Sequence, residues 1–486
     1  MAENMAYTSR RGAAFIQKTG ANSQPQVLRC LDADEISSPK GGVELIKCWN
    51  AFGNGWIEMG KTLSAPDAST ISLSQLTEKT LSALEKIYCP VTILLAQTSQ
   101  GKVTEINNAE RVIIMKNAVI TDESYSDVVH HIDDNETMHS VSFSGDSDVT
   151  VVGYPTIIRI TTTLPEALND IHGNIQADCD DRVEPGDKLI AVPDADGVGG
   201  TASVWYSDDN GATWTASAAD PFGADENIAA CQWFMKDLTT ERWIVAEEAP
   251  AAGQGDIAYS DDGGATWTTV TIGGAAAGHG ATMGGGLFVD ELGNIWLASA
   301  AGYIYKSEDG GESWTAKETG TIDTEDYNHI HFFDSDNGVA VADNDVIIVT
   351  TDGGETWSAA TATGGGGNLL SCWMPEEDTI WVGDTAGDIY YSHDGGTTWT
   401  ERTGLSGTPD AVNDIEFYDS QVAFLAVDNA TPVGTISQSV TGGYSWRAFT
   451  TPTNSGINAL FVVTPNLAFM VGEANGGTAF IGKLSA

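Results

Sequence analysis

The chain contains 486 residues, more than a single hydrophobic core usually serves, so at least two domains are expected. It carries 68 acidic residues against 22 basic ones, and the net charge of −46 disfavours nucleic acid and anionic lipid as partners. No run of about 18 apolar residues occurs, which argues against a membrane-spanning helix. The first 20 residues hold two arginines but no apolar stretch after them, so we expect production in the cytoplasm without a cleaved signal peptide.

The acidic charge is unevenly distributed along the chain. Residues 1–150 contain 19 acidic and 12 basic residues, a net charge of −7, and the remainder has a net charge of −39. A nearly balanced surface is expected of a segment that meets other protein, and a strongly acidic one keeps crowded copies soluble. Adaptation to a salty habitat would be expected to add acidic residues to both parts of the chain alike.

The cysteines are not spaced as zinc ligands and divide three and three between the two parts of the chain. This odd number per part predicts free, mostly buried thiols, with an intersubunit disulfide as the open alternative. The six are Cys30, Cys48, Cys89, Cys179, Cys231 and Cys372.

The first 150 residues predict a β-sandwich or small barrel flanked by one helix. An amphipathic helix is predicted over Ser74–Tyr88, with Leu76, Thr80 and Leu84 on one face and Pro90 after its end. Strands are predicted at Gly42–Trp49, Val91–Gln97, Arg111–Thr121 and Met138–Ser144.

The N-terminal part contains, in order, the elements WNAFGNGWIEMG, the predicted helix, CPVTILLAQ and ERVIIMKNAVITDESYSD. In the order and residue pattern of these elements, it resembles bacteriophage tail tube proteins. In that family a β-sandwich with one helix assembles into stacked hexameric rings. The resemblance implies that residues 1–150 form a homo-oligomer, with Tyr125–Glu136 and Met1–Arg11 at contacts between subunits or rings. The alternative is a generic β-rich domain that precedes a second domain.

Six later segments share the pattern Ser/Thr-x-Asp-x-Gly-x-Thr/Ser-Trp. Their tryptophans are 53, 47, 43, 42 and 47 residues apart, which is the period of one four-stranded propeller blade. In the sixth segment, Thr441 stands where the others have aspartate. The pattern residues are Ser207, Asp209, Gly211 and Trp214; Ser260, Asp262, Gly264 and Trp267; Ser307, Asp309, Gly311 and Trp314; Asp352, Gly354 and Trp357; Ser392, Asp394, Gly396 and Trp399; and Ser439, Gly443 and Trp446.

Each position of this pattern has a structural explanation. The glycine supplies a positive φ angle without steric cost, and the aspartate and hydroxyl groups accept backbone N–H bonds within a turn. The tryptophan is expected to bury its ring beneath the turn as the largest apolar contribution. Each segment is therefore predicted to form the hairpin turn between the third and fourth strands of a blade, with its polar groups hydrogen-bonded within the turn. The turn with Thr441 should be the weakest.

This pattern resembles the Asp-box (BNR) repeat of sialidases and many unrelated propellers, over roughly residues 155–486. Six boxes account for six blades. The tail supplies three more strands at Ile457–Val463, Leu467–Glu473 and Thr478–Leu484, and Gly153–Thr162 is the predicted fourth. The expected fold is therefore mostly β: a β-sandwich or barrel over 1–150, then a seven-bladed β-propeller over 151–486.

Catalysis is not expected. The sialidase resemblance implies three arginines around a substrate carboxylate, a Tyr–Glu pair and an acidic catalyst. Arg402 and Arg447 follow box tryptophans on outer strands, and Arg159, in IIRIT, lacks the proline of the sialidase Arg-Ile-Pro element. The arginines after residue 150 are Arg159, Arg182, Arg242, Arg402 and Arg447. We predict no catalytic residue and no sialidase activity.

No cofactor or metal site is predicted, although two patterns leave alternatives open. His329 and His331 lie at strand spacing, which puts both rings on one face, but such a pair without a placed carboxylate is more often structural. Asp194-Ala-Asp196 and Asp334-Ser-Asp336 are similar to parts of calcium loops without the full ligand series, so structural calcium stays an alternative.

Three functional hypotheses follow. The first is a virion structural protein, located in a phage-like tail, whose partners are itself and other virion proteins and whose acidic propeller decorates the outer surface. The second is a binding module for a host-surface glycan or protein, served by exposed aromatic residues; the third is a glycosidase. Photosystem assembly factors are also Asp-box propellers, but they carry basic patches that this sequence lacks. Most of the aromatic candidates are better explained as blade-packing residues; they are Trp233, Trp243, Trp373 and Trp381.

Overall fold

The computed structural model of the protein describes residues 11–18, 26–27, 46–49, 56–65, 68–76, 91–98, 106, 109–122, 139–145, 149–153, 156–160, 164, 167–173, 188–193, 204–222, 227–236, 240–248, 256–272, 286–299, 302–317, 325–402, 409–429, 434–451, 456–473 and 479–485. The chain divides into two compact units. The first comprises residues 1–154, 440–445 and 486, and the second comprises 155–439 and 446–485.

The first unit contains one antiparallel sheet of nine strands. Their order is β2-β1-β6-β7-β8-β5-β4-β3, and β9 pairs with β7. Ile93 and Leu94 on β6 and Ile114 on β7 are fully buried. The strands are β1 (Arg11–Lys18), β2 (Gln26–Val27), β3 (Ile46–Trp49), β4 (Trp56–Ala65), β5 (Ala68–Leu76), β6 (Val91–Thr98), β7 (Arg111–Asp122), β8 (His139–Gly145) and β9 (Val149–Val152).

The predicted helix is wrong where it can be compared with the structure. Strand β5 continues to Leu76 and pairs with both β4 and β8, so residues 74–76 are extended. The reason is the alternation of polar and apolar residues through Ile71 and Leu73, which is the period of a strand. The rest of the predicted helix, the loop at 125–136 and residues 1–10 lie outside the described residues. The sandwich or barrel stays a prediction.

The second unit is a seven-bladed β-propeller, which confirms the predicted fold class. Six sheets contain four consecutive strands each, and the first strand of each blade packs against the first strand of the next, which closes the ring. The blades are β11 to β14 (Leu168–Gly173, Leu189–Pro193, Trp205–Ser207, Thr215–Ala216), β15 to β18 (Ile228–Met235, Glu241–Glu247, Asp256–Ser260, Thr268–Thr271), β19 to β22 (Leu287–Val289, Ile295–Ser299, Tyr303–Ser307, Thr315–Lys317), β23 to β26 (Tyr327–Phe332, Gly338–Ala342, Val346–Thr350, Ser358–Ala359), β27 to β30 (Leu369–Glu376, Thr379–Asp384, Ile389–Ser392, Thr400–Arg402) and β31 to β34 (Pro409–Phe417, Ala423–Asn429, Thr435–Ser439, Arg447–Thr450).

The seventh sheet combines strands from distant parts of the sequence. Strand β10 (Thr156–Ile160) pairs antiparallel with β37 (Phe480–Ser485), which is followed in the sheet by β36 (Leu467–Gly472) and β35 (Ile457–Thr464). The outermost strand of this blade therefore precedes the first blade in sequence, and the three inner strands follow the sixth.

The apolar core of the propeller lies between the blades. Second strands such as β12, β20 and β24 are buried at every residue, because neighbouring blades cover both faces of each sheet. The hydrophobic clusters accordingly combine residues of two adjacent blades, as Trp296 of the third blade does with Phe332 of the fourth. Among the residues described, no helix is long and apolar enough to span a membrane.

Candidate functional site

The first five boxes have one common hydrogen-bond pattern. In the box of Asp262, the Ser260 hydroxyl donates to Asp262 Oδ1 (2.8 Å) and accepts from the Gly264 N–H (2.8 Å). Both carboxylate oxygens also accept bonds from Thr266, one from its N–H (2.8 Å) and one from its hydroxyl (2.6 Å). The boxes of Asp209, Asp309, Asp352 and Asp394 repeat these contacts. The box carboxylates are thus occupied by their own turns.

These bonds also keep the box carboxylates ionised. The hydrogen bond from the Thr266 hydroxyl lowers the pKa of Asp262, and the bonds from Thr356 and Thr398 do the same for Asp352 and Asp394. A carboxylate with a lowered pKa is a poor general acid at neutral pH.

The sixth box uses a hydroxyl in place of the carboxylate. The Thr441 Oγ1 accepts the Ser445 N–H at 3.0 Å and lies 3.1 Å from the Ser445 hydroxyl. Gly443 keeps the positive φ angle of the other boxes, at 80°. One oxygen therefore makes the contacts that two carboxylate oxygens share elsewhere, and the lower stability of this turn stays a prediction.

The box tryptophans are less buried than the sequence suggested. Trp357 is buried, but the other five are only partly covered. The indole N–H groups of Trp267 and Trp399 donate to Ala219 and Thr361 carbonyls at the preceding blade edge. The largest fully buried rings are instead on second strands, where two blades enclose them: Trp243, Trp296 and Trp381.

A second repeated element, which sequence analysis missed, lies on the first strands that surround the ring centre. Four of these strands carry an asparagine at a β-bulge, where its side-chain amide reaches the next blade. The bonds run from Asn169 to the Ile228 carbonyl, Asn328 to Leu369, Asn413 to Ile457 and Asn458 to Leu168, at 2.8–3.0 Å. The signal is visible in sequence as LNDI, YNHI, VNDI and INAL.

Acidic side chains of the same strands accept bonds from the following blade. Asp170 Oδ2 accepts the Cys231 N–H and Asp414 Oδ2 accepts the Leu460 N–H, both at 2.8 Å. Glu416 Oε2 accepts the Val462 N–H at 2.6 Å. Burial raises the pKa of Asp170 and Glu416 well above the usual range. These carboxylates join blades whose first strands are not paired with each other.

Histidines serve as acceptors in the same positions. His172 Nδ1 accepts the Trp233 N–H and His331 Nδ1 accepts the Met374 N–H, both at 3.3 Å. Burial lowers the pKa of both rings, that of His172 to about 4. The neutral form, which leaves Nδ1 free to accept, is therefore the stable one in the folded protein.

The contribution of His172 to stability should fall on mild acidification. Between its unfolded pKa of about 6.5 and its folded pKa of about 4, the unfolded chain binds a proton that the folded chain does not. From pH 7 to pH 5 we expect this group to remove about 1–2 kcal/mol of stability. Urea denaturation of His172→Gln, which keeps an acceptor, should show a correspondingly smaller loss. An unchanged pH dependence would contradict this.

His329 and His331 contact different neighbours. His329 Nδ1 lies 3.5 Å from the Cys372 sulfur, and its Nε2 lies 3.7 Å from Asp414 Oδ1. The His331 ring packs on Trp373, with centroids 3.9 Å apart. Within the described ranges, no group of three or more His, Cys, Asp or Glu residues is placed to hold a metal ion.

The possible calcium segment at Asp334 is a capped turn. Asp334 Oδ1 accepts the N–H groups of Asp336 and Asn337 at 2.8 and 2.7 Å, which closes the connection before β24. Asp194 and Asp196 lie outside the described residues.

Three of the propeller arginines pack against rings, and Arg182 lies outside the described residues. Arg242 is almost fully buried, forms two bonds of 2.6 Å with Asp261, donates to the Gly310 carbonyl and stacks over the Tyr259 ring. It therefore ties the second blade to the box of the third. Arg402 and Arg447 lie on the outermost strands β30 and β34, over the rings of Tyr391 and Phe449.

The aromatic residues proposed as exposed are not exposed. Trp243 and Trp381 are buried, and Trp233 and Trp373 are partly covered, because all four lie on first and second strands inside the blade stack. Cys231 and Cys372 are free and buried, as expected.

The BNR/Asp-box repeat family model matches residues 205–216, 258–269, 348–359 and 390–401. The chain contains BNR/Asp-box repeats. The matched segments are boxes one, two, four and five. Outside them, box three keeps the full pattern and box six keeps all of it except the aspartate. A comparison with curated proteins gives no match.

The chain is also similar to solved structures, at low sequence identity. YCF48 from Cyanidioschyzon merolae is 16% identical with a TM-score of 0.49, covering 68% of this chain and 98% of its own. Virginiamycin B lyase from Staphylococcus aureus is 12% identical with a TM-score of 0.50, covering 68% of this chain and 99% of its own. Identities this low indicate the fold alone.

Proposed function

We propose that this protein is a non-catalytic structural subunit of a virion tail. Residues 1–150 assemble into a ring or tube, and the acidic propeller is displayed by that assembly. The observation that supports the non-catalytic role is that polar side chains near the ring centre are hydrogen-bonded to neighbouring blades. Asp170, Asp414, Glu416, His172 and His331 each accept a backbone N–H of the next blade.

A catalytic centre needs polar groups that are free to meet a substrate. Groups already committed to neighbouring blades would have to break those bonds first, which costs about 1–3 kcal/mol for each buried partner left unsatisfied. Arg242 also supports this proposal, because its guanidinium is held by Asp261 and the Gly310 carbonyl. A propeller built this way is suited to presenting a rigid surface.

The charge distribution supports assembly through the N-terminal region. Residues 1–150 carry a net charge of only −7, so copies can approach each other there without the repulsion that a net charge of −39 imposes on the rest. The similarity of element order to tail tube proteins points in the same direction. Display of an acidic domain would keep neighbouring assemblies apart.

Electron microscopy of the full chain over a range of protein and salt concentrations tests assembly. We expect rings or filaments at high protein concentration. They should become more abundant as salt is raised from low to physiological strength, because screening weakens repulsion between acidic propellers. Monodisperse single particles under all these conditions would contradict the proposal.

A further inference from the structure

The exposed apolar side chains of the propeller are concentrated in one kind of connection. Five large hydrophobic residues are exposed in the part of the chain that the structure describes, and four follow the first strand of a blade or end it. These four, in blades two, three, four and six, are Met235, Leu292, Phe333 and Tyr418, exposed by 43–69%. The fifth, Ile158, lies on the outermost strand of the seventh blade.

These connections share an edge of the propeller with the boxes. In an antiparallel four-stranded blade, the turn between strands one and two and the turn between strands three and four lie at the same end. Direct bonds confirm it: the Gly353 N–H of the fourth box donates to the Asp336 carbonyl, and that of Gly395 donates to Asp378. We call this end, formed by the first-to-second strand connections and the first five boxes, the Asp-box edge.

Two of the exposed residues are aromatic and lie on rigid turns of similar sequence, FDSDN and YDSQV. The Phe333 N–H donates to the Asn337 carbonyl and the Tyr418 N–H to the Val422 carbonyl, both at 2.9 Å. Asp334 and Asp419 each accept two further backbone N–H groups within these turns. A side chain held on an ordered turn loses little entropy when it is covered by a partner.

Carboxylates also occur at this edge. Exposed acidic residues of the first-to-second strand connections are Glu291, Asp336, Glu377 and Asp378. Two described lysines at this edge are already paired, Lys188 with Glu241 and Lys236 with Glu312. The Asp-box edge therefore offers hydrophobic contacts within a negative field, and the complementary ligand is cationic and partly apolar.

We propose that the Asp-box edge is a docking surface for a segment of another protein that carries arginine among apolar residues. Phe333 and Tyr418 provide faces on which a guanidinium can stack, and Asp336 lies in the same turn as Phe333 to accept its N–H groups. Leu292 and Met235 on the neighbouring blades provide contacts for apolar side chains. The inference goes beyond the proposed tail role, because it requires only the propeller.

The test uses the full-length protein and labelled synthetic peptides in fluorescence anisotropy at physiological salt. A peptide of alternating arginine and leucine should bind about tenfold more tightly than one of alternating arginine and glycine, because only the first supplies apolar contacts. The double variant Phe333→Ser/Tyr418→Ser should weaken its binding by about tenfold. Ile158→Ser, the matched control, should change it by less than about twofold.

Three results would overturn the proposal: no binding of the arginine–leucine peptide, equal binding of both peptides, or equal affinity of the double variant and the wild type. Amide exchange supplies a second measurement on the wild type, where the peptide should protect residues 333–337 and 418–422. Protection elsewhere alone, or preference for a glycan in a parallel array, would also overturn it. If the protein forms rings but does not bind the peptide, only the docking surface is contradicted. If it binds the peptide but forms no rings or filaments, only the tail role is contradicted.

Discussion

Replacing Gly354 by alanine should lower the free energy of unfolding by about 2–4 kcal/mol. Gly354 has a φ angle of +72°, and a Cβ atom there would lie 2.3 Å from Cη2 and 2.6 Å from Cζ3 of Trp296. The Trp296 ring is fully buried and stacks on Phe332 with centroids 4.4 Å apart, so it has no room to move. Left-handed strain of about 1 kcal/mol adds to overpacking of about 1–3 kcal/mol.

Gly364→Ala is the matched control for this experiment. Gly364 has a φ angle of +88°, and no atom lies within 4 Å of its added Cβ, so the backbone strain is retained without the clash. We expect a loss of about 1 kcal/mol for the control in urea denaturation. Equal losses in the two variants would show that Gly354 is needed only for the backbone conformation of its turn. They would contradict a close contact with the Trp296 ring of the preceding blade.

Trp381→Ala should remove about 3–5 kcal/mol of stability. Its ring is 1% exposed and lies between blades five and six, near Tyr391, Phe417 and Trp446 at centroid distances of 5.0, 5.7 and 6.1 Å. Deletion leaves a cavity that rigid sheets on both sides fill poorly. Thermal or urea unfolding of the full chain measures the loss.

Trp399→Ala, in the box of the same blade, provides the comparison. Its ring is only partly covered and its indole N–H donates to the Thr361 carbonyl at 2.7 Å, so we expect a loss of about 1–2 kcal/mol. A larger loss at Trp399 than at Trp381 would contradict the assignment of the main packing role to the second-strand tryptophans.

The propeller could be predicted from sequence because its turns carry local chemistry. Asp262, Gly264 and Thr266 interact within a short stretch of chain, so their spacing already specifies the turn. The burial of the tryptophans could not be predicted in the same way. Whether Trp267 or Trp243 is covered depends on the neighbouring blade, which is distant in sequence.

The bonds near the ring centre depend on contacts that short motifs do not encode. Asn458 donates to the Leu168 carbonyl, 290 residues away, and only closure of the ring brings the two together. The recurring asparagine is nonetheless visible once blades are aligned on their first strands. In the N-terminal region, β5 shows the opposite error: leucines at helical spacing predicted a helix, but the strand continues to Leu76, which pairs with His139 of β8.

Amide hydrogen exchange at Leu460 and Val462 tests most directly whether polar side chains near the ring centre hold the blades together. These N–H groups lie on β35, at the edge of its sheet, and donate to Asp414 and Glu416 of the preceding blade. We expect both to exchange as slowly as the paired amides of β36, and Asp414→Ala to release Leu460 while Phe469 stays protected. Rapid exchange of Leu460 and Val462 in the wild-type protein would contradict this role.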